Sequence, residues 1–388
     1  MTPLNVPVAS ERVMNRHQKL ETVLFLGQLP PPWHGQASIN ATLSAADFSA
    51  FQLRTHAMAA SRNIDEVGRP SATKVVRLIG EWVRLASTIA RHSRAAVVYS
   101  LGAIGRSALY RDAVLLGTLR LLRQRVLLHV HADLDQLIAH WKPPEQLLAR
   151  TLYHCSGIIR LTAGIGQLDR LQFAYEAVLP SGIEDTEFVR PPERPLSKPA
   201  KVVFVGNLYE AKGILTLLEA CRSLAASETP IQVDFIGATV GGRDLRYWIR
   251  EAERLRISDR VSFRGLVPSG DVARSLADAD IFCLPSENEA MPIVIIEAMR
   301  AGLPVVSTRV GAIPHLVDHG VTGLLVQPRD ARSTAEALAQ IISDQGKHAA
   351  MCRRAREKYC CNYTQSAFVA AFERIVNEFL EQGRRAAQ

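Results

Sequence analysis

Hydrophobic and polar positions along the chain fall into two alternating β/α series. Residues 22–27 (TVLFLG) form a short apolar run of strand-forming residues closed by glycine, the pattern of a buried parallel strand. Pro30, Pro31 and Pro32 forbid an immediate helix, and a helical pattern opens at about Ala37, after Trp33-His34-Gly35-Gln36. Between Lys74 and Arg94, apolar residues such as Val76, Ile79, Val83, Ala86 and Ala90 recur at helical spacing. Residues 95–100, 126–130, 157–161 and 176–179 read as further strands.

The register changes at Pro180-Ser181-Gly182, which opens a segment rich in proline and charge that runs to Pro199. Beyond it the alternation restarts. Strands are predicted at 201–205, 232–236, 261–263, 281–284 and 305–307, with helices from Ile214, at 245–255 and through Glu297. A last amphipathic helix, 365–382, carries Phe368, Phe372, Ile375, Val376 and Phe379 on one side. Two such series predict an α/β protein with two parallel sheets, helices on both faces of each, and a site in the cleft where the carboxyl ends of the strands face. The expected division is a leader at 1–21, a first domain at 22–182, a linker at 183–199, a second domain at 200–364, and a helix at 365–388 that packs back toward the first domain.

Length and composition fit this division. The 388 residues, 47% apolar and 22% charged, are too many for one ordinary domain and too apolar for disorder. No run approaches the roughly 18–20 apolar residues of a spanning helix. The first twenty residues lack the apolar stretch of a signal peptide, and the six cysteines show no metal or disulfide spacing, so a cytoplasmic location is expected. Net charge is +8, and the excess crowds the first half, where Arg77, Arg84 and Arg91 recur every seven residues beside an apolar face carrying Trp82. Such a helix suits peripheral contact with an anionic membrane at its inner face; the alternative is an ordinary solvated face. Nucleic acid is not an expected partner, because no recognition motif accompanies the charge.

The chemistry concentrates in residues 284–306 (LPSENEAMPIVIIEAMRAGLPVV): a strand end, a polar turn, a helix start near Ile293, and a carboxylate inside that helix. Free N–H groups at such a helix start, here those of Ile293 and Val294, suit an anionic phosphate. Glu289 in the turn and Glu297 one turn into the helix are acceptors suited to paired sugar hydroxyls.

This stretch resembles the P-S-x-x-E-x7-E-A-M-x-x-G-x-P-V-V signature of retaining glycosyltransferases of family 4, within glycosyl transferases group 1. Residues 203–213 (VFVGNLYEAKG) are similar to that family's G-R-L-x-x-x-K-G element, 310–314 and 320–326 to its later glycine elements, and 180–184 to its hinge. The resemblance implies the GT-B architecture, two Rossmann-like domains facing across a cleft. It implies transfer of a sugar, with retention, from a UDP- or GDP-sugar to a hydroxyl acceptor, a glycan or lipid-linked one, with no metal or other cofactor required. By the same resemblance Glu297 binds the ribose, Glu289 the sugar ring and Lys212 the diphosphate. Gly35 lies in the loop that approaches phosphates and acceptor, and His131 matches the family's T-x-H histidine near the reacting sugar.

Two positions depart from the pattern. Asn207 stands where the family has arginine, and Met291-Pro292 replaces an aromatic-glycine pair, which removes one N–H. These departures keep open an alternative, a catalytically silent nucleotide-sugar binder or scaffold of the same fold. Asp133-Leu134-Asp135 and Asp278-Ala279-Asp280 resemble a D-x-D metal motif but are read as chance repeats.

Overall fold

The protein is described here by a computed structural model covering residues 20–31, 35–58, 72–92, 95–102, 106–131, 142–153, 157–162 and 173–388. The first alternating series becomes β1 (Glu21–Gly27), α1 (Gly35–Ala45), β2 (Phe51–Ala57), α2 (Ala72–Arg91), β3 (Ala96–Leu101), α3 (Arg106–Leu121), β4 (Val126–Val130), α4 (Pro143–Tyr153), β5 (Gly157–Arg160) and β6 (Glu176–Val178). Its strands pair in parallel in the order β2-β1-β3-β4-β5-β6. The sheet is covered on both sides, so its central strands are buried at every position, whatever the residue. All of β3 and β4 is buried, His129 and Ser100 included.

The second series gives β7 (Ala200–Val205), α5 (Ile214–Ala226), β8 (Ile231–Ile236), α6 (Leu245–Arg254), β9 (Val261–Gly265), α7 (Ser269–Asp278), β10 (Ile281–Leu284), α8 (Ile293–Arg300), β11 (Val305–Thr308), α9 (Ile313–Leu316), β12 (Gly323–Val326), α10 (Ala331–Ile342), α11 (Gln345–Asn362) and α12 (Gln365–Ala387). Here the parallel order is β12-β11-β10-β7-β8-β9. Strand order reverses between β7 and β10, and between β1 and β3 in the first sheet. In open α/β sheets that reversal separates the flanking loops and leaves a crevice at the strands' carboxyl ends.

One face of the first sheet packs α2 and α3 through Leu85, Ile89, Leu109, Leu116 and Leu119. Its other face packs α1 and the last helix, whose Phe368, Phe372, Ile375, Val376 and Phe379 join Val23, Phe25, Val98 and Leu127. The chain thus returns to the first domain after finishing the second. Its two crossings lie side by side: the Ile183 N–H donates to Tyr363 O (2.9 Å), and the Gln365 N–H to Ile183 O (2.8 Å).

The segment between the sheets is anchored on the second one. Arg190 is buried and donates to Asp280 Oδ1 at 3.0 Å, while Asp280 Oδ2 accepts from the Lys201 and Ser197 N–H groups at 2.9 and 3.1 Å. Of the second D-x-D triplet, Asp280 is therefore used as a buried counter-ion, while Asp278 is exposed. The first triplet, with Asp133 and Asp135, lies outside the described residues.

Several elements differ from the sequence pattern. β2 had no prediction, because as an edge strand it alternates Phe51, Leu53 and Thr55 with exposed polar residues rather than forming an apolar run. α1 starts at Gly35, two residues before the expected start, and α12 runs on to Ala387 through a polar turn.

Candidate functional site

On the second domain the site is built by two loops locked together. After β7 the chain passes Gly206, Asn207 and Leu208 into a single 3-10 turn, Glu210–Lys212, which ends at Gly213 with φ +78. A Cβ at Gly213 would sit 1.9 Å from Pro285 O, so only glycine lets this turn lie against the loop after β10. The Glu287 N–H donates to Ala211 O at 2.8 Å across the same seam. As a result Lys212 and Glu289 meet, with Nζ 2.5 Å from Oε1, and Ser286 Oγ donates to the same carboxylate oxygen at 2.9 Å. From the other side, the Ala312 N–H donates to Ala290 O at 2.7 Å. Gly311 lies so close to Glu289 O that a Cβ there would be 1.7 Å away.

Helix α8 begins directly after this turn. Pro292 is its N-cap and brings no side-chain cap, and the first N–H groups, at Ile293 and Val294, have no acceptor earlier in the helix. Glu297 follows one turn later. Burial pushes its carboxyl above the ordinary range, and Arg300 opposes that shift more weakly. Ile293 also packs against the first domain's core. Its Cδ1 is 3.0 Å from where a Cβ on Gly35 would stand. The starts of α1 and α8 therefore face each other across the cleft, with the Ile293 side chain filling the space beside Gly35.

The first-domain wall holds His131 just past β4, where its N–H donates to Leu101 O at 2.7 Å. The His129 ring lies 4.1 Å from it, centroid to centroid, and 6.2 Å from Phe372. His129 is fully buried, and its ring nitrogens have no hydrogen-bond partner among the described residues. Burial first, and His131 second, hold it well below the usual imidazole range, so it is a neutral packing residue.

Beside it runs a polar chain that sequence reasoning missed. Gln36 Nε2 donates to Ser100 Oγ (3.1 Å), Ser100 Oγ to Asn40 Oδ1 (2.7 Å), and Asn40 Nδ2 to Gln28 O (2.9 Å). It ties the start of α1 to the ends of β1 and β3, and a Cβ at Gly102 would strike Gln36 Oε1 at 2.0 Å. Polar residues one turn apart behind Gly35 were the available signal.

The structure thus brings Lys212, Ser286 and Glu289 into contact and sets Gly35 against Ile293. Asn207 is exposed on its loop and makes no such contact. Two ion pairs stand near the Lys212 turn, Arg329 with Glu287 at 2.6 Å and Arg243 with Glu210. No cluster of His, Cys, Asp and Glu among the described residues could hold a metal ion. Pro32, Trp33 and His34 lie outside the described residues.

Residues 185–358 match the family model of glycosyl transferases group 1. That match falls on the segment between the two sheets and on the second domain. Among relatives, WcaL of Escherichia coli (strain K12), named as a colanic acid biosynthesis glycosyltransferase, is 33% identical over 239 residues, covering 59% of this chain and 58% of WcaL. The amylovoran biosynthesis glycosyltransferase AmsK of Erwinia amylovora is 31% identical over 190 residues, 47% of this chain and 46% of AmsK. The chain therefore spans little over half, at most, of these relatives' own length. Among solved structures, HepE of Anabaena in complex with UDP superposes with a TM-score of 0.69 at 17% identity, covering 92% of this chain and all of HepE. Sucrose-phosphate synthase from Thermosynechococcus elongatus gives 0.71 at 17%, over 93% and 99% of the two chains. These likenesses establish the fold, two α/β domains in the GT-B arrangement.

Proposed function

We propose that the protein transfers a sugar from a nucleoside diphosphate sugar to a hydroxyl acceptor, with retention at the anomeric carbon, in the assembly of a polysaccharide or lipid-linked glycan. The observation that carries this reading is the joint placement of Lys212, Ser286 and Glu289 at the switch point of the second sheet, directly before the start of α8. Relatives named for colanic acid and amylovoran biosynthesis, and neighbours solved with UDP and UDP-glucose, support the substrate class.

In this reading Glu297 accepts hydrogen bonds from the ribose hydroxyls, and the N–H groups of Ile293 and Val294 face the diphosphate. Lys212 stabilises charge on the leaving diphosphate as the bond from the sugar's anomeric carbon to the phosphate oxygen breaks. Glu289 orients the sugar, and His131 supports it from the opposite wall as positive charge builds at the ring. The acceptor oxygen bonds to the anomeric carbon on the face the diphosphate leaves, and its proton passes to a phosphate oxygen of the leaving group. Gly35 leaves room for phosphate and acceptor between the facing helix starts.

The test is a melting-temperature panel of UDP, GDP, ADP and CMP with their sugar conjugates, on the wild type and Glu297→Ala. One nucleoside diphosphate should raise the melting temperature of the wild type and not of the variant, and proton NMR of the product should show the donor's anomeric configuration. No response to any nucleotide sinks the donor reading.

The exposed Asn207, which supplies no cation, favours a second reading, a silent nucleotide-sugar binder of the same fold. His131→Ala separates the two. A catalyst loses turnover and keeps its nucleotide affinity, whereas a silent binder has no turnover to lose.

A further inference from the structure

Exposed apolar side chains concentrate on one layer of the first domain. Among the described residues, Trp82 and Val83 on α2, Tyr110, Val114 and Leu121 on α3, and Leu122 just past it make up half of the large apolar residues left open to solvent. On α3 the spacing of Tyr110, Val114 and Leu121 lines up one outward stripe, with Leu121 86% exposed. Trp82 closes the gap in that stripe, because its Nε1–H donates to Thr118 Oγ1 at 3.2 Å and lays the indole between the helices. The inward faces of both helices are already satisfied by the sheet, so this outer stripe is surplus to folding.

Its surroundings are cationic. In sequence α2 and α3 carry seven basic residues against two acids. Arg84, Arg91, Arg120 and Arg123 are exposed, while Asp112 is buried against Tyr99 and Arg111. A second copy of the chain is a poor occupant, since a two-fold interface would set the same arginines against one another. A nucleic acid would use the arginines but leave the aliphatic stripe uncovered. An anionic bilayer satisfies both, with phosphates for the arginines, acyl chains for Val114 and Leu121, and the interfacial zone for Trp82 and Tyr110.

We infer that the outer face of α2 and α3 is a docking surface for anionic phospholipid bilayers. No helix among the described residues is long and apolar enough to cross a membrane, so the contact is peripheral. The surface stands apart from the donor site and does not depend on the function proposed for it.

The experiment is flotation of the full chain with vesicles of phosphatidylglycerol and phosphatidylcholine, against vesicles of phosphatidylcholine alone, at low and high salt. Variants are Val114→Asp, Leu121→Asp and, as a control on the second domain, the similarly exposed Leu266→Asp. Wild type and the control should float with anionic vesicles at low salt, less at high salt, and not with neutral ones. The two α3 variants should lose about tenfold or more in partitioning while keeping wild-type melting temperatures, as exposed substitutions should. Wild type that ignores anionic vesicles, or α3 variants that bind them as well as wild type, overturns the proposal. So does a dimer or an oligonucleotide complex that the α3 substitutions abolish while leaving vesicle binding intact. Nucleotide-induced melting shifts in the same variants report on the donor site separately.

Discussion

Lys212 and Glu289, 77 positions apart in sequence, form an ion pair with Nζ 2.5 Å from Oε1. Neither is free to wander. Gly213 pins the Lys212 turn against Pro285 O, and Ser286 Oγ holds the carboxylate that Lys212 meets. The cation proposed for the diphosphate is thus neutralised, before any donor arrives, by the carboxylate proposed for the sugar. A donor must draw the ammonium across to its phosphates, and the sugar's hydroxyls replace what Glu289 loses.

Glu289→Gln keeps the shape and removes the competing charge. Bare nucleoside diphosphate should then bind more tightly, on the order of tenfold, because Lys212 is released and an anion is gone from beside the phosphates. Turnover should fall by roughly 10²–10³, since the oriented carboxylate is lost where charge develops. Calorimetric titration with the diphosphate and single-turnover kinetics read the two effects. Unchanged or weaker diphosphate binding would mean that Lys212 serves another partner.

Glu297 offers a test with opposite signs for stability and binding. Burial raises its folded-state value above that of the unfolded chain, so the native protein holds the proton more tightly. The stability this gives is present in full at low pH and is lost as pH rises through the raised value. At neutral pH the ionised carboxylate therefore destabilises the unliganded fold. Glu297→Gln should melt higher than wild type without nucleotide and should lose the nucleotide-induced rise. Wild-type donor affinity should weaken on acidification at a pH above the usual glutamate range. A variant that melts lower, yet still responds to nucleotide, would remove Glu297 from the site.

The central strands and the carboxylate turn were legible because each is a local pattern. β4 and β10 were read residue for residue, as apolar runs bounded by polar turns, and Glu289 with Glu297 stood out by spacing on a helix start. The Lys212–Glu289 pair was not legible, since it depends on two glycines, at 213 and 311, that let separate loops touch backbone to backbone. Edge strand β2 escaped for a different reason. Its burial is one-sided, and its polar half looks like loop. The polar chain from Gln36 through Ser100 and Asn40 to the Gln28 carbonyl joins three elements, and no window of sequence contains it.

Gly213 carries a prediction of its own. With φ at +78 and Pro285 O only 1.9 Å from a prospective Cβ, Gly213→Ala must move the Lys212 turn or the Pro285 loop. The expected loss is about 1–3 kcal/mol of stability, together with weaker nucleotide binding. Gly241 has a similar φ of +81 and open space around it, so Gly241→Ala isolates the backbone cost alone. Urea unfolding of both variants separates them. Equal losses would show that the contact with Pro285 contributes nothing beyond backbone strain.

His129 sets how the first domain responds to mild acid. Its ring is fully buried and held neutral, packed beside the rings of His131 and Phe372. In the unfolded chain the same imidazole titrates near pH 6.5, so below that value the unfolded state takes up a proton that the native state refuses. Stability should fall by about 1.4 kcal/mol per pH unit for each such group until the native value is reached. His348, lowered chiefly by burial and partly offset by its bond to the Asp280 carbonyl, contributes in the same direction. The low-lying carboxylates Asp185 and Asp280 keep their stabilisation down to the unfolded carboxylate value of about 4 and lose it only below that, as pH falls through their lowered values. Measured in a Glu297→Gln background, which removes the raised carboxyl that titrates with the opposite sign, denaturant midpoints between about pH 7 and 5.5 isolate the histidines, and His129→Leu should flatten that slope without flattening it completely. An unchanged slope would require His129 to take up a proton inside the native sheet, and the neutral wall behind His131 would then have to be abandoned.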